Sequence, residues 1–327
     1  SWHDYGFAGN EKIKTPAVDA LADESMVFER AFTVEAICAP SRSALYTGLY
    51  PIRNGCYLNH IHTRKGVKSV THYLPPLGYE VILAGKSHVG PPEHFAWTHH
   101  WQPVKTDGHP RPLIPMEQID AYLANAKAPG RPPFCMFVTS EYPHGPFVET
   151  HPYGTDDIEL APYQSRANPG YYGNVDVENR ELTQVLAAID RHGLKERTIF
   201  IYSSDHGQSG GAKFTCYDRG LRVPVIVRHP GKVKPGTSQA LISYTDLLPT
   251  MIALAGGKPP RELDGRSFLP VLRGEADRHQ DHVYGLMTNQ GRQDKHIFPQ
   301  RTIRSERYRY IHNFNSLEKI RRDEAAG

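Results

Sequence analysis

The chain has 327 residues, 39% hydrophobic and 22% charged, with a formal net charge of +3 and a pI near 8.5. This composition excludes a disordered chain and suits one large α/β domain with a small appendage. The charge is far short of a nucleic-acid footprint, and no apolar run reaches the roughly 20 residues of a membrane-spanning helix.

In chain order, Thr15 and Pro16 mark the start of a helix with Val18, Leu21 and Met26 near one face. A short helix follows the run Cys38-Ala39-Pro40-Ser41-Arg42 and closes at Gly48. Residues 80–85 (EVILAG), 134–140 (FCMFVTS), 198–204 (TIFIYSS) and 223–228 (VPVIVR) are β-rich and almost continuously apolar. Strands covered on both faces have this pattern. Between the second and third, Leu182, Val185, Leu186 and Ile189 repeat with helical spacing over about 176–192, and Gly193 ends the helix. Another helix is predicted from about Thr245 to Leu254, with Pro249 in its first turn. Residues 258–280 are rich in Pro, Gly and charge and read as a surface connection. Residues 301–313 read as a hairpin around Ser305-Glu306, followed by a polar tail with no further pattern. The alternation predicts an α/β sandwich with a mostly parallel mixed central sheet over 1–280 and the start of a small antiparallel C-terminal subdomain over 281–327.

The four cysteines, Cys38, Cys56, Cys135 and Cys216, fit neither a zinc ribbon nor a disulfide scaffold. Cys135 lies in an apolar run and reads as an inert buried thiol. Cys38 differs. It sits just ahead of a helix N-terminus, whose free N–H groups attract an anion, and Arg42 adds a guanidinium fork suited to tetrahedral oxyanions. Taken alone, it could equally be a thiol beside a helix cap.

Other candidates follow strands, where ligands gather in open α/β sheets. They are Lys86 and His88 in Gly85-Lys86-Ser87-His88, His144 in Pro143-His144-Gly145, the pair Asp205-His206, and Lys213 shortly after it. Singly, each has a plain reading as a loop or capping residue. Between 93 and 109 a group of His, Phe and Trp residues reads either as a sugar-binding wall or as a surface loop.

Together these segments, in this order and from residue 5 to about 313, resemble the type I sulfatases of the alkaline phosphatase superfamily. The resemblance implies an alkaline phosphatase-like fold and oxidation of Cys38 to formylglycine by a maturation enzyme. It implies hydrolysis of a sulfate ester or sulfamate: one hydroxyl of the hydrated aldehyde attacks sulfur and the other later expels sulfate. It assigns Arg42, Lys86 and Lys213 to the sulfate, His88 to the aldehyde and His144 to protonation of the leaving group. Asp205, His206 and the modified Cys38 would hold a divalent cation, calcium first, with manganese or magnesium as alternatives.

The usual sulfatase pair is Asp-Asn, so Asp205-His206 keeps phosphonate monoester and phosphodiester hydrolases of the superfamily as an alternative. The resemblance begins at Ser1-Trp2, just after the place of a family strand that ends in Asp-Asp. The expectation is therefore a chain without that strand, its two ligands, or the segment that follows the hairpin. A homologue that only binds sulfated glycans is the remaining reading. Residues 85–91, Asn54-Gly55-Cys56-Tyr57 with His60 and His62, and Arg304, Tyr308 and Tyr310 resemble the heparan N-sulfatase (sulfamidase) branch. The implied partner is a sulfated carbohydrate. A signal peptide ahead of Ser1 would imply a periplasmic, secreted or lysosome-like location.

Overall fold

Apolar strands must pair their backbone groups and cover both faces. The computed structural model describes residues 1–148, 170–207, 212–288 and 298–326. Its strands are β1 (Met26–Phe28), β2 (Ala31–Phe32), β3 (Glu80–Gly85), β4 (His99–Trp101), β5 (Phe134–Thr139), β6 (Phe200–Ser203), β7 (Val225–Arg228), β8 (Gly236–Ser238) and β9 (Ile242–Ser243). One sheet has the order β6-β7-β1-β8, a second β4-β3-β5, and β2 pairs with β9. β3 is parallel to β4 and β5, β1 to β8, and β2 to β9, while β7 runs antiparallel to β1 and β6.

The period-2 alternation of β5 places the helices. Phe134, Met136 and Val138 pack with Ile119 and Leu123 of the Met116–Asn125 helix and with Val185, Ala188 and Ile189 of the Tyr171–Arg191 helix. Cys135 and Phe137 face the other way, toward Tyr46 of the Cys38–Thr47 helix and Leu248 and Ile252 of the Leu247–Leu254 helix. β7 alternates likewise: Ile226 packs with Val18, Leu21 and Leu182, whereas Val225 and Val227 pack with Ala44 and Leu247. Helices on both faces make the expected α/β sandwich. Among the described residues β5 pairs with β3 alone and β6 with β7 alone. Apolar packing on the Tyr171–Arg191 helix joins them, since it touches both β5 and Phe200 of β6. That helix starts five residues earlier than the leucine spacing predicts, because Tyr171, Tyr172 and Val175 are also buried.

Three expectations are corrected. The 258–280 stretch is not a plain surface connection: Phe268, Val271 and Leu272 are buried, and Phe268 packs edge-on against Phe28 with ring centroids 5.1 Å apart. Three apolar residues among prolines and charges set no period that could announce this. The tail is not patternless, because Ser316–Ala326 is helical, with a Glu318–Arg322 ion pair at i,i+4. In the 93–109 segment, Phe95 and Trp97 do not form a sugar-binding wall. They join an aromatic cluster around the fully buried Tyr46, with Tyr46–Trp97 and Tyr46–Phe137 centroids at 5.2 and 4.9 Å.

The expected hairpin is present within an antiparallel sheet of β10 (Val283–Met287), β11 (Gln300–Arg304) and β12 (Arg309–Asn313). This sheet is fastened to the larger body. Leu286 N–H donates to the Val34 carbonyl at 2.8 Å, and Arg304 and Arg309 reach Asp218 at 3.2 and 2.7 Å.

Gly85, the last residue of β3, has φ +115°, and a Cβ there would lie 2.2 Å from the Thr139 carbonyl oxygen of β5. Gly85→Ala is expected to cost about 2–4 kcal/mol in urea denaturation, from backbone strain and overpacking together. A loss under ~0.5 kcal/mol would contradict this close approach.

Candidate active site

Ile37 is extended and Cys38 opens the helix that Gly48 closes in the left-handed region, with φ 64°. Cys38 and Arg42 are one turn apart and share a face. Arg42 Nε donates to Asp205 Oδ2 at 3.0 Å, and its Nη1 donates to the Lys86 carbonyl at 3.1 Å. The Ser41 hydroxyl donates to the Asp205 backbone carbonyl and lies 2.6 Å from the Thr33 hydroxyl. The helix start is thereby tied to the ends of β3 and β6.

The β6 end is held by Tyr244, whose hydroxyl meets Ser203 Oγ at 2.7 Å and donates to the Ser204 carbonyl. His206 Nε2 then comes to 3.3 Å from Cys38 Sγ, and Lys213 Nζ to 3.7 Å. His206 Nδ1 donates to the Gly207 carbonyl at 2.7 Å, so Nε2 is the nitrogen that faces Cys38. Donor atoms of Cys38, Asp205 and His206 all lie within 4.8 Å of one another. A carboxylate oxygen, an imidazole nitrogen and a position 38 able to offer sulfur or oxygen fit a divalent cation.

Lys86 and His88 follow β3. Lys86 Nζ lies 3.8 Å from Glu141 Oε2, which Arg111 Nη2 also meets at 2.8 Å. His88 Nε2 lies 3.0 Å from His60 Nδ1. His144 follows β5. Asn174 Nδ2 donates to its carbonyl at 2.9 Å and to that of Pro146 at 3.2 Å, which fixes the loop. His144 Nδ1 is 2.6 Å from the Gly145 carbonyl, so Nδ1 carries hydrogen and Nε2 is the free nitrogen.

The electrostatics follow from this crowding. Burial alone would raise the Cys38 thiol, but His206 and then His88 outweigh it and hold the thiol well below its ordinary range. Burial pushes the other thiols up, Cys56 to about 11 and Cys135 and Cys216 to about 12. Burial likewise opposes ionisation of Asp205, yet His206, Arg42, Lys86 and Lys213 together hold it far below the usual carboxylate range. Burial, followed by Lys213 and Lys86, lowers His144 below the ordinary 6.5. The result is a cluster of three cations around one carboxylate and one thiolate, an environment that accepts a further anion.

Cys38, Arg42, Lys86, His88, Asp205, His206 and Lys213 thus come together by direct contact or through one shared partner, and His144 lies within electrostatic reach of both lysines and Cys38. Sequence reading places none of Glu141, Arg111 and Asn59 in the site, and it meets His60 only through the likeness of its loop to the sulfamidase branch. Glu141 directly follows a strand, which is a usable signal; Arg111 has none in its neighbours.

The sulfatase family profile matches residues 1–257, and that of the N-sulphoglucosamine sulphohydrolase C-terminal region matches 211–322. This chain belongs to the sulfatase family. It is 49% identical over 328 residues to an ulvan-active sulfatase of Formosa agariphila, covering 97% of this chain and 64% of that protein. It is 29% identical over 340 residues to the N-acetylgalactosamine-6-sulfatase of Mus musculus, covering 84% of this chain and again 64% of the relative. Among solved structures, a 2-O GAG sulfatase superposes with TM-score 0.80 at 21% identity, covering 96% of this chain and 80% of that one. A second, solved in complex with its substrate D-glucosamine-2-N,6-O-disulfate, gives TM-score 0.77 at 19% identity over 97% of this chain and 87% of that one. The fold is the alkaline phosphatase-like sandwich of the sulfatases.

In the metal-free, unmodified chain, thiolate absorbance near 240 nm should show one step on the acid side of the ordinary thiol value of about 8.5, lost in Cys38→Ala. A chain whose thiols all titrate above that value would refute the cationic surround of Cys38.

Proposed function

We propose that this chain hydrolyses a sulfate ester on a sulfated polysaccharide, through a formylglycine made from Cys38 by a separate maturation enzyme. The observation that carries this reading is the convergence of His206 at 3.3 Å and Lys213 at 3.7 Å on Cys38 Sγ, at the start of a helix, beside the Arg42–Asp205 pair. On this reading Sγ stands in for the two hydroxyl oxygens of the hydrated aldehyde.

Arg42, Lys86 and Lys213 bind the sulfate oxygens. One hydrate oxygen forms a bond to sulfur while the bond from sulfur to the sugar oxygen breaks, and His144 gives that oxygen a proton. The second hydroxyl then gives its proton to His88, its oxygen re-forms the carbonyl, and the bond from carbon to the sulfate oxygen breaks. Water rehydrates the aldehyde. Asp205, His206 and position 38 would hold the divalent cation, calcium first, whose charge favours the ionised hydrate. Calcium takes 6–8 oxygen ligands, so further oxygens would complete its shell. Residues 1–280 form the catalytic unit on this reading and 281–327 the start of a C-terminal subdomain.

The substrate class follows the 49% identity to an ulvan-active sulfatase, with an N-sulfated glucosamine as the alternative that the C-terminal match supports. The pair Asp205-His206 favours one other reading, a phosphonate monoester hydrolase. The test co-expresses the chain with a formylglycine-generating enzyme and traps the aldehyde at position 38 with a hydrazide. Turnover is then compared on an aryl sulfate, ulvan fragments, N-sulfated glucosamine and a phosphonate monoester. Sulfate ester turnover that Cys38→Ala reduces by about 10³-fold or more, and that a chelator suppresses, is expected. Preference for the phosphonate would overturn the sulfatase reading.

A second expectation concerns pH. His144 must be protonated to serve the leaving group, and its lowered pKa means that form is lost as pH rises through a value below 6.5. The kcat/KM profile should therefore fall on an alkaline limb below that value. His144→Ala should remove the limb and cost about 10²–10³-fold on a sugar sulfate, but far less on 4-nitrophenyl sulfate, whose leaving group needs no proton.

A further inference from the structure

Phe214 directly follows Lys213 and has φ 68°. A bulky side chain in this left-handed region is an outlier that persists only where the surroundings hold it, and such residues gather at functional sites. Here the chain is pinned on both sides of the turn. The Phe214 N–H donates to the Ala36 carbonyl at 3.0 Å, two residues before Cys38, and the Thr215 hydroxyl donates to the Ala212 carbonyl at 2.8 Å. Ala212 and Cys216 are buried, and the half-buried Phe214 ring packs against the cluster that holds Ala36, Ile37 and Cys216. A glycine would adopt this φ without strain. The turn alone therefore does not account for a phenylalanine; the ring must.

The ring carries a charge on its face. Lys213 Nζ lies over it, 5.3 Å from the centroid, and the same ammonium is 3.7 Å from Cys38 Sγ. In a strand or a helix the side chains of consecutive residues point apart. The left-handed turn at Phe214 lets its ring meet the side chain just before it. A lysine has a flexible four-carbon stem and a compact charge for which water competes, so an aimed lysine needs something that stops it swinging out. Lys86 has Glu141 for this, at 3.8 Å. Among the described residues no carboxylate forms an ion pair with Lys213, and the electron-rich ring face takes that place. Maturation replaces the sulfur of residue 38, and the ring contact then remains.

We propose that Phe214 is a positioning residue: its strained turn sets an aromatic face against the Lys213 ammonium and so aims that ammonium at residue 38 and at the sulfate that reacts there. This rests on the reading of Lys213 as a sulfate ligand.

The test uses the full chain. With ¹³C-labelled lysine in the unmodified protein, and Lys213 assigned through Lys213→Arg, the Lys213 ε-methylene protons should be shifted upfield by the ring. The shift should vanish in Phe214→Gly and Phe214→Leu and persist in Phe214→Tyr. Unshifted signals in the wild type overturn the contact. The matured enzyme supplies the second readout. Phe214→Gly, which keeps the turn, should lower kcat/KM on an aryl sulfate about 3–30-fold, the range of one cation–π contact. Phe214→Leu, which fills the space without an aromatic face, should fall with it, whereas Phe214→Tyr should stay within about twofold of the wild type. In a Lys213→Met background Phe214→Gly should change the rate less than about twofold, because the ammonium is gone. An equal fall in both backgrounds, or a leucine variant as active as the wild type, leaves only a packing role and overturns the proposal. If the matured wild type turns over no sulfate ester, the proposed function fails, while the spectra still decide whether the ring holds Lys213.

Discussion

Arg42 and Asp205 form the ion pair on which the site depends. One partner belongs to the helix that begins at Cys38, the other follows β6, and Arg42 also grips the carbonyl of Lys86 after β3. Three elements from distant parts of the chain are therefore oriented by one guanidinium. Both groups are largely withdrawn from water, with side-chain exposures of 10% and 23%. Loss of either would leave an uncompensated buried charge, which is commonly more costly than the pair is stabilising. Its value is geometric: a planar fork fixes directions that a lysine ammonium would leave loose.

Around this pair the charges are unequal by design of position. Lys86 is partly neutralised by Glu141, which Arg111 also engages, whereas Lys213 points at Cys38. Asp205 lies within 4.8 Å of the thiol and is shared among His206, Arg42 and the lysines. Charges fixed in place by such contacts form a field that is oriented before any ligand arrives, so little reorganisation is needed.

Much of this was legible in the sequence because strand ends and motif residues coincide. Each of the four apolar runs became a strand, and Lys86, His88, His144, Asp205 and His206 all follow one. Cys38 was readable from Pro40, Ser41 and Arg42, although it opens the helix instead of preceding it. What escaped was packing without periodicity. Phe268 is buried within a Pro- and charge-rich stretch because Phe28 offers it a ring, and Trp97 is drawn inward by Tyr46. Neither partner is near in sequence. The turn at Phe214 escaped for a related reason: the carbonyl that pins its left-handed backbone belongs to Ala36, far away in the sequence.

The C-terminal sheet closes against the carbonyl of Val34, four residues before Cys38, and Asp205 arrives from the middle of the chain. Synthesis runs from the N-terminus at about 5–20 residues per second, so Cys38 emerges on the order of ten seconds or more before its ion-pair neighbours exist. A side chain that is buried in the finished protein is thus open for an interval during its making. The fold that hides Cys38 also guarantees an interval in which it can be reached.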